Sequence, residues 1–302
     1  MTAVMFHVDT DGYASAALVQ MNEPDCRCIP VNYGWPLDWD KLRPNEKVYV
    51  VDFTYPVEDM KRLNDEYDLV WIDHHDLAID PVIKELGTDI PGIQAPGMSG
   101  VALTWTYFYP NKPLPYTLKL IDAFDTGRFT LYPEVLAYQK AINDMDVFPI
   151  GLGKLNLWKR IFNDNELYNK MLEHGNILLD IERKEYSSKC RYMCEVIDIM
   201  GKRALIANFP MTVSTIFDSV VDADKHDIIV GYYRYFRIDN KGKTLSYWKF
   251  GVRAACNKSI DVGKLCNDIV SGIDGATGGG HEGAGGFTVK RLSDLPFMKH
   301  VV

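Results

Sequence analysis

The sequence holds no C-x-x-C pair, and its six cysteines, at Cys26, Cys28, Cys190, Cys194, Cys256 and Cys266, lack the density of a secreted scaffold. That excludes a disulfide framework and makes a reducing cytoplasm the expected location. No stretch approaches the roughly 18 uninterrupted apolar residues of a membrane span, and His7 and Asp9 arrive before a signal-peptide core could form. Neither export nor membrane insertion is expected. Positive charge is also in deficit: 33 lysines and arginines stand against 41 acids, a net charge of −8. This argues against passive electrostatic binding to long nucleic acid, so an anionic substrate needs local positive charge, which a metal ion could supply. Compositional bias is absent too. With 47% hydrophobic and 25% charged residues over 302 positions, the chain is globular and long enough for about two domains.

The run Ala3 to Val8 is too short for a helix and reads as a buried strand, followed by a helix from about Tyr13 to Gln20. Lys47 to Phe53 and Asp68 to Asp73 are short, apolar and β-branched, and the segment between them has helical composition with acids toward its start. This alternation predicts an α/β fold, a parallel sheet with helices on both faces. Further helices are expected at Val101 to Phe108 and Pro115 to Asp125, and helical character again from Asn163 to about Ile199. Beyond it, Ala204 to Phe209, Asp227 to Arg237 and Leu245 to Arg253 read as strands. A helix near Asp261 to Val270 and a glycine-rich run from Gly278 to Gly286 complete a smaller α+β domain. The expected boundaries are 1–160 for the first domain, 161–199 for a helical connector and 200–302 for the second domain.

Each early strand ends in acids or imidazoles: His7-x-Asp9-x-Asp11-Gly12, then Asp52, then Asp73-His74-His75. Ligands of open α/β sheets bind beyond the carboxyl ends of the strands, so the three clusters should meet there. Taken singly, the first segment could be a capping device whose glycine permits a tight turn, and His74-His75 an ordinary strand end. Together they suit metal, because buried charges persist only when paired or coordinated. Mixed aspartate and histidine ligation fits a first-row divalent ion such as Mn²⁺, and the number of donors suits two ions. A fourth acidic element, Asp122-Ala-Phe-Asp125-Thr-Gly-Arg-Phe129, offers two aspartates between which spacing does not choose.

These segments resemble, in order, the four motifs of the DHH phosphoesterases, a family that includes RecJ-type exonucleases, nano-RNA exonucleases with 3′-phosphoadenosine-5′-phosphate (pAp) phosphatase activity, cyclic-dinucleotide phosphodiesterases and family II pyrophosphatases. The fourth motif, D-T-G-x-F, aligns on Asp125 and leaves Asp122 as a helix residue. The carboxyl-terminal run from Gly278 to Gly286 is similar to the G-G-G-H-x-x-A-A-G signature of the DHHA1 substrate domain, with Gly285 in place of the second alanine. That domain separates the chain from the pyrophosphatases. Arg253 occupies the place of its substrate arginine, without the usual flanking serines.

The resemblance implies two divalent ions, Mn²⁺ ahead of Mg²⁺: one held by His7, Asp9 and Asp52, the other by Asp11, Asp52, His74 and Asp125. Asp52, Asp11 and His75 would carry the catalytic step, in which a two-metal-activated hydroxide attacks phosphorus in line, while Asp73 supports the strand end. Arg253, Gly279, Gly280 and His281 would hold a substrate phosphate, a task for which glycine backbone N–H groups and a guanidinium fork are suited, so the two domains would close over one substrate. The implied activity is hydrolysis of short single-stranded oligonucleotides to 5′-mononucleotides, an oligoribonuclease of the nano-RNA type. Alternatives are a pAp or cyclic-dinucleotide hydrolase, a RecJ-like single-strand DNA exonuclease, or a catalytically silent module that binds nucleic-acid ends. A homodimer is compatible with these readings, and a membrane partner is not expected. One local exception to the acidic balance is Tyr232-Tyr233-Arg234-Tyr235-Phe236-Arg237, for which core packing is favoured over base stacking because residues on a strand alternate between faces.

Overall fold

The computed structural model describes residues 2–148, 154–209, 217, 219–238, 243–280 and 282–299. They fall into two compact units, Met1–Leu179 and Asp180–Val302. Among the described residues no helix is long and apolar enough to cross a membrane.

The first unit is built on a five-stranded parallel sheet. Its strands are β1 (Thr2–His7), β2 (Arg27–Val31), β3 (Lys47–Val51), β4 (Asp68–Asp73) and β5 (Gly92–Gln94), in the order β2-β1-β3-β4-β5. The three central strands are buried on both faces, which is why they read as nearly continuous apolar runs. Val4, Phe6, Tyr49, Val51, Val70 and Ile72 pack toward α1 (Thr10–Asn22) and α4 (Gly100–Phe108). The alternate residues Ala3, Met5, Val48, Val50, Leu69 and Trp71 pack toward α2 (Val57–Glu66) and α3 (Asp76–Leu86). Helices therefore cover both faces, as the alternating pattern predicts. A further layer outside α1 comprises α5 (Tyr116–Asp125), α6 (Val135–Asp144) and α7 (Lys154–Asn163), around Leu118, Tyr138, Ile142 and Trp158.

Register matters most for the site. Phe6 pairs with Val51, and Val51 with Ile72, so His7, Asp52 and Asp73 occupy the next row across three adjacent strands.

Helix α8 (Asn165–Met193) starts in the first unit and ends in the second. The expectation that helix continues to about Ile199 is corrected: Cys194–Ile199 is strand β6, antiparallel to β7 (Lys202–Ala207). Ile199 pairs with Lys202 across Met200 and Gly201, both at positive φ (52° and 76°), the two-residue hairpin geometry that matches strand twist. Turn chemistry at Gly201 outweighed the helical composition before it.

The sheet of the second unit has the order β10-β11-β9-β8-β7-β6. It adds β8 (Ile228–Ile238), β9 (Thr244–Ala254), β10 (Thr277–Gly280) and β11 (Ala284–Val289), and α9 (Val262–Val270) packs on one face against Val230, Tyr232, Phe250, Val252, Phe287 and Val289. Tyr232 is thus a core residue, whereas Tyr233 and Tyr235 lie on the opposite face. Most of the glycine-rich run is strand: Gly278, Gly279 and Gly280 lie in β10, and Gly285 and Gly286 in β11. Glycine is needed because the strands approach so closely. At Gly280, which has φ 144°, a Cβ would stand 2.3 Å from the Gly285 Cα.

Candidate metal centre

At the carboxyl edge of the first sheet, the residues predicted from sequence come together. His7 Nδ1 lies 2.6 Å from Asp9 Oδ2 and 3.8 Å from Asp52 Oδ2. His74 Nε2 lies 3.1 Å from Asp52 Oδ1 and 3.3 Å from Asp125 Oδ2. Three sets of donor atoms result among the described residues, His7/Asp9/Asp52, Asp11/His74/Asp125 and Asp52/Asp73/His74/His75, with the atoms of each set within 4.8 Å of one another. The two oxygens of Asp52 face different imidazoles, Oδ2 that of His7 and Oδ1 that of His74. Asp52 itself has φ 53°, a left-handed conformation rare for a residue with a side chain, of the kind that surrounding structure must enforce at functional positions.

Local folding explains the placement. Asp9 is the N-cap of α1 and accepts from the Gly12 amide at 2.9 Å. Gly12 lies inside α1 and does not form the turn expected of it. Its absent side chain lets the helix approach β1, since a Cβ would stand 2.1 Å from the His7 carbonyl oxygen. Asp11, buried, accepts from the amides of Gly100 (2.6 Å) and Val101 (3.0 Å), so the α4 N-terminus neutralises part of its charge. Gly100, missed in the sequence, is essential to this contact: a Cβ there would stand 2.5 Å from Asp52 Cβ and 2.9 Å from Asp11 Oδ2. The signal was present in Ser99-Gly100, a small residue at the N-cap position before a helix.

Asp122 and Asp125, indistinguishable by spacing, have different tasks. Asp122 accepts from the Ser99 amide at 2.8 Å and pairs with Arg128 at 2.5 Å. Asp125 points into the acidic cluster. Asp73, fully buried, accepts from the His74 amide and from His75 Nδ1, both at 2.8 Å, and from the Thr54 hydroxyl. Its oxygens are thereby engaged in orienting His75. Thr54, like Gly100, was not singled out in the sequence.

The electrostatics are dominated by uncompensated negative charge. Burial, then repulsion from Asp11, Asp9 and Asp125, holds Asp52 well above the usual carboxylate range. Burial and the Asp9 charge push Asp11 up to about 6, and burial with the charges of Asp11 and Asp9 pushes Asp125 up to about 9. Burial, reinforced by His75, brings His74 down to about 4, so its imidazole is neutral. For His75 burial acts downward, but the hydrogen bond to Asp73 and that carboxylate's charge prevail and raise it.

Among the described residues, Asp52 Oδ2 and Asp125 Oδ2 are buried without a hydrogen-bond donor, and no lysine or arginine pairs with Asp9, Asp11, Asp52 or Asp125. Buried carboxylates of this kind call for cations. Aspartate oxygens with neutral imidazole nitrogens fit a first-row divalent ion.

No family model matches the sequence. Over 145 residues, 48% of this chain, it is 26% identical to the uncharacterized protein R106 of Acanthamoeba polyphaga mimivirus, and the match spans 32% of that protein's length. Among solved structures, the pGpG-specific phosphodiesterase PggH from Vibrio cholerae aligns with a TM-score of 0.50 at 14% identity, over 96% of this chain and 93% of that one. RecJ from Thermus thermophilus, in complex with Mn²⁺, aligns with the same score and identity over 98% of this chain and 50% of RecJ. The chain has their fold.

In the second unit, Arg253 lies on β9, paired in register with Ala284 of β11, and Gly279 and Gly280 lie on the edge strand β10. His281 lies outside the described residues.

Proposed function

We propose that the chain is a metal-dependent phosphodiesterase that hydrolyses short single-stranded oligonucleotides to 5′-mononucleotides. The observation that carries this reading is the cluster of donor sets at the carboxyl edge of a parallel sheet, with buried Asp52 between them, one oxygen toward His7 and the other toward His74, and no lysine or arginine partner among the described residues. His7, Asp9 and Asp52 would hold one divalent ion, and Asp11, Asp52, His74 and Asp125 a second, Mn²⁺ ahead of Mg²⁺. Two such ions supply Lewis acidity toward a phosphoryl group and a hydroxide nucleophile at neutral pH.

The chain's own residues do the rest. The Asp73 carboxylate can only accept a hydrogen bond, so Nδ1 of His75 keeps its proton and donates to it, leaving Nε2 as the ring nitrogen that can meet a substrate. A raised His75 is protonated over more of the neutral range, and Nε2–H can then donate to a phosphate oxygen or to the leaving group. Thr54 secures Asp73 from behind. The Gly100 and Val101 amides hold the Asp11 carboxylate in place.

Residues 1–160 form the catalytic domain in this reading, 161–199 the connector, and 200–302 a substrate domain whose Arg253, Gly279, Gly280 and His281 receive a phosphate. The preference for short substrates is supported by the net charge of −8 and by the likeness in fold to a phosphodiesterase specific for a dinucleotide, pGpG. The deciding experiment incubates 5′-labelled RNA and DNA, as dinucleotide, pentanucleotide and a strand of about two dozen nucleotides, with Mn²⁺ and either the wild type or Asp52→Asn. Mononucleotides released fastest from the shortest RNA, and only by the wild type, are expected. Faster cutting of the long DNA would favour a RecJ-like exonuclease. No cleavage of any strand, together with no bound metal, would overturn the hydrolase reading in favour of a silent module.

A further inference from the structure

Strand β2 runs parallel to β1 and pairs its last residue, Val31, with His7, so the chain beyond Val31 leaves the sheet beside the imidazole of the first motif. It turns at once. Oδ1 of Asn32 accepts from the Tyr33 amide at 2.8 Å, and the Asn32 carbonyl accepts from the Trp35 amide at 3.0 Å. Gly34 takes φ 81°, a value that glycine meets without strain at the third position of a tight turn. The Tyr33 ring is thereby brought to the carboxyl edge. Its centroid lies 5.5 Å from that of His7 and 5.8 Å from that of His75, at interplanar angles of 64° and 77°. The two imidazoles are 6.4 Å apart at 87°, so the three rings form a closed triangle of edge-to-face contacts.

The support behind Tyr33 is rigid. Phe53, which is 2% exposed, meets the Tyr33 ring at 4.6 Å, and Tyr55 backs Phe53 at 4.8 Å. Tyr33 itself is 47% exposed and belongs to none of the donor sets, so neither core burial nor ligation accounts for its place. His75 needs a neighbour of this kind. Its Nδ1 donates to Asp73 at 2.8 Å, which fixes one atom of the ring but leaves the plane free to pivot about that hydrogen bond. The rings that touch His75 set the plane: His74 at 4.2 Å, Tyr33 and His7. Both of these histidines are engaged by carboxylates of the cluster, which leaves Tyr33 as the ring with no other task.

We propose that Tyr33 is a positioning residue for His75: it carries the rigidity of the Phe53 wall to the imidazole and holds Nε2 where it can donate to a phosphate oxygen or to the leaving group. The contact is made by the flat ring, and the hydroxyl is dispensable. A proton donor works only within hydrogen-bond reach of its acceptor, and a displacement of about 1 Å can cost about a hundredfold in rate. The consequence for turnover rests on the hydrolase reading, whereas the placement of His75 by Tyr33 does not. Tyr33 lies in none of the four acidic segments, and Asn32-Tyr33-Gly34-Trp35 reads in sequence as a turn and nothing more.

The test compares two substrates with Mn²⁺. On a dinucleotide, Tyr33→Ala should lower kcat by about tenfold to a hundredfold with KM little changed, and Tyr33→Phe should restore the wild-type rate. On the p-nitrophenyl ester of a 5′-nucleotide, whose leaving group departs as an anion without a proton, Tyr33→Ala should stay close to the wild type. In a His75→Asn background Tyr33→Ala should add almost nothing, because a residue that acts through His75 loses its effect with it. Trp35→Ala, at a side chain 54% exposed in the same turn, should change neither rate. A crystal structure of Tyr33→Ala should show the His75 ring turned from its place, with Asp73 unmoved. Full activity of Tyr33→Ala on the dinucleotide, a raised KM with kcat kept, loss in Tyr33→Phe, equal loss on the ester, additive loss in the His75→Asn background or an unmoved His75 ring would each overturn the proposal. Thermal melts separate a displaced ring from a lost fold. If the wild type cleaves neither substrate, the hydrolase reading falls, and the crystal structure still decides whether Tyr33 places His75.

Discussion

At the carboxyl edge of the first sheet, Asp9, Asp11, Asp52, Asp73 and Asp125 crowd around His7, His74 and His75, whereas four neighbouring strands of the second sheet carry no acid at all. The first arrangement collects charge where burial makes it costly, and the strain at Asp52 shows how firmly the surroundings hold it. The second removes acids from an accessible surface, so that a few cations and rings dominate the local field despite the net charge of −8. Net charge therefore says little about where an anion can bind. What matters is which acids the fold neutralises or places elsewhere.

The sharpest way to break this comparison is to remove the shared carboxylate. Asp52→Asn is the preferred variant because asparagine tolerates the left-handed backbone. It should reduce Mn²⁺-dependent hydrolysis by about a thousandfold or more, measured as kcat on a dinucleotide, and lower the bound-metal stoichiometry measured by mass spectrometry. With repulsion relieved, the metal-free protein should melt higher, by about 1–3 kcal/mol of added stability. A less stable Asp52→Asn would mean that the cluster is not frustrated. Next in size is Gly100→Ala, whose Cβ would press on Asp52 and Asp11. A loss of about a hundredfold in activity is expected, with about 1–3 kcal/mol of stability lost to overpacking.

Thr54→Val, which frees one oxygen of Asp73, should lower kcat by about tenfold and leave metal stoichiometry unchanged. A change in metal content instead would place Asp73 among the ligands. The smallest effects are on pH dependence, and they have opposite signs in the two units. Without metal, the native first unit holds protons on Asp11 (about 6) and Asp125 (about 9) that the unfolded chain, near 3.9, releases. The stability these two groups contribute should therefore be full below about pH 4 and fall as pH rises toward about 9. Thermal melts in EDTA at pH 5 and 8 would show this, and Mn²⁺ at about a hundred times its Kd should restore about 2.7 kcal/mol at the higher pH. In the second unit, hydrogen bonds from Arg203 and Lys258 depress Asp227. Its contribution is present above the unfolded value and lost as pH falls through the folded one, so Asp227→Asn should lower the melting temperature slightly at pH 7 and less in acid.

Much of the first unit was legible because buried parallel strands leave continuous apolar runs, and each such run ended in His7, Asp52 or Asp73. The contacts of Gly100 with Asp11 and of Thr54 with Asp73 were not legible, since these partners lie 89 and 19 residues away in sequence. In the second unit the glycine run read as a phosphate-holding segment, and its strand pairing was not legible, because it depends on the close packing of β10 and β11. The short hairpin at Met200-Gly201 similarly cut a helical pattern that local propensity extended.

The sequence by itself determined the alternation of strands and helices, the order of the acidic motifs and the chemistry of the donors, because periodicity and residue type are local properties. Only the tertiary structure decided that Asp122 braces Arg128 and the Ser99 amide, and that the two oxygens of Asp52 face different imidazoles. It alone aligned Gly231, Gly251, Gly279 and Gly286 from separate segments into one row. Those outcomes depend on strand register and helix approach, which arise when distant segments bury their apolar faces against one another.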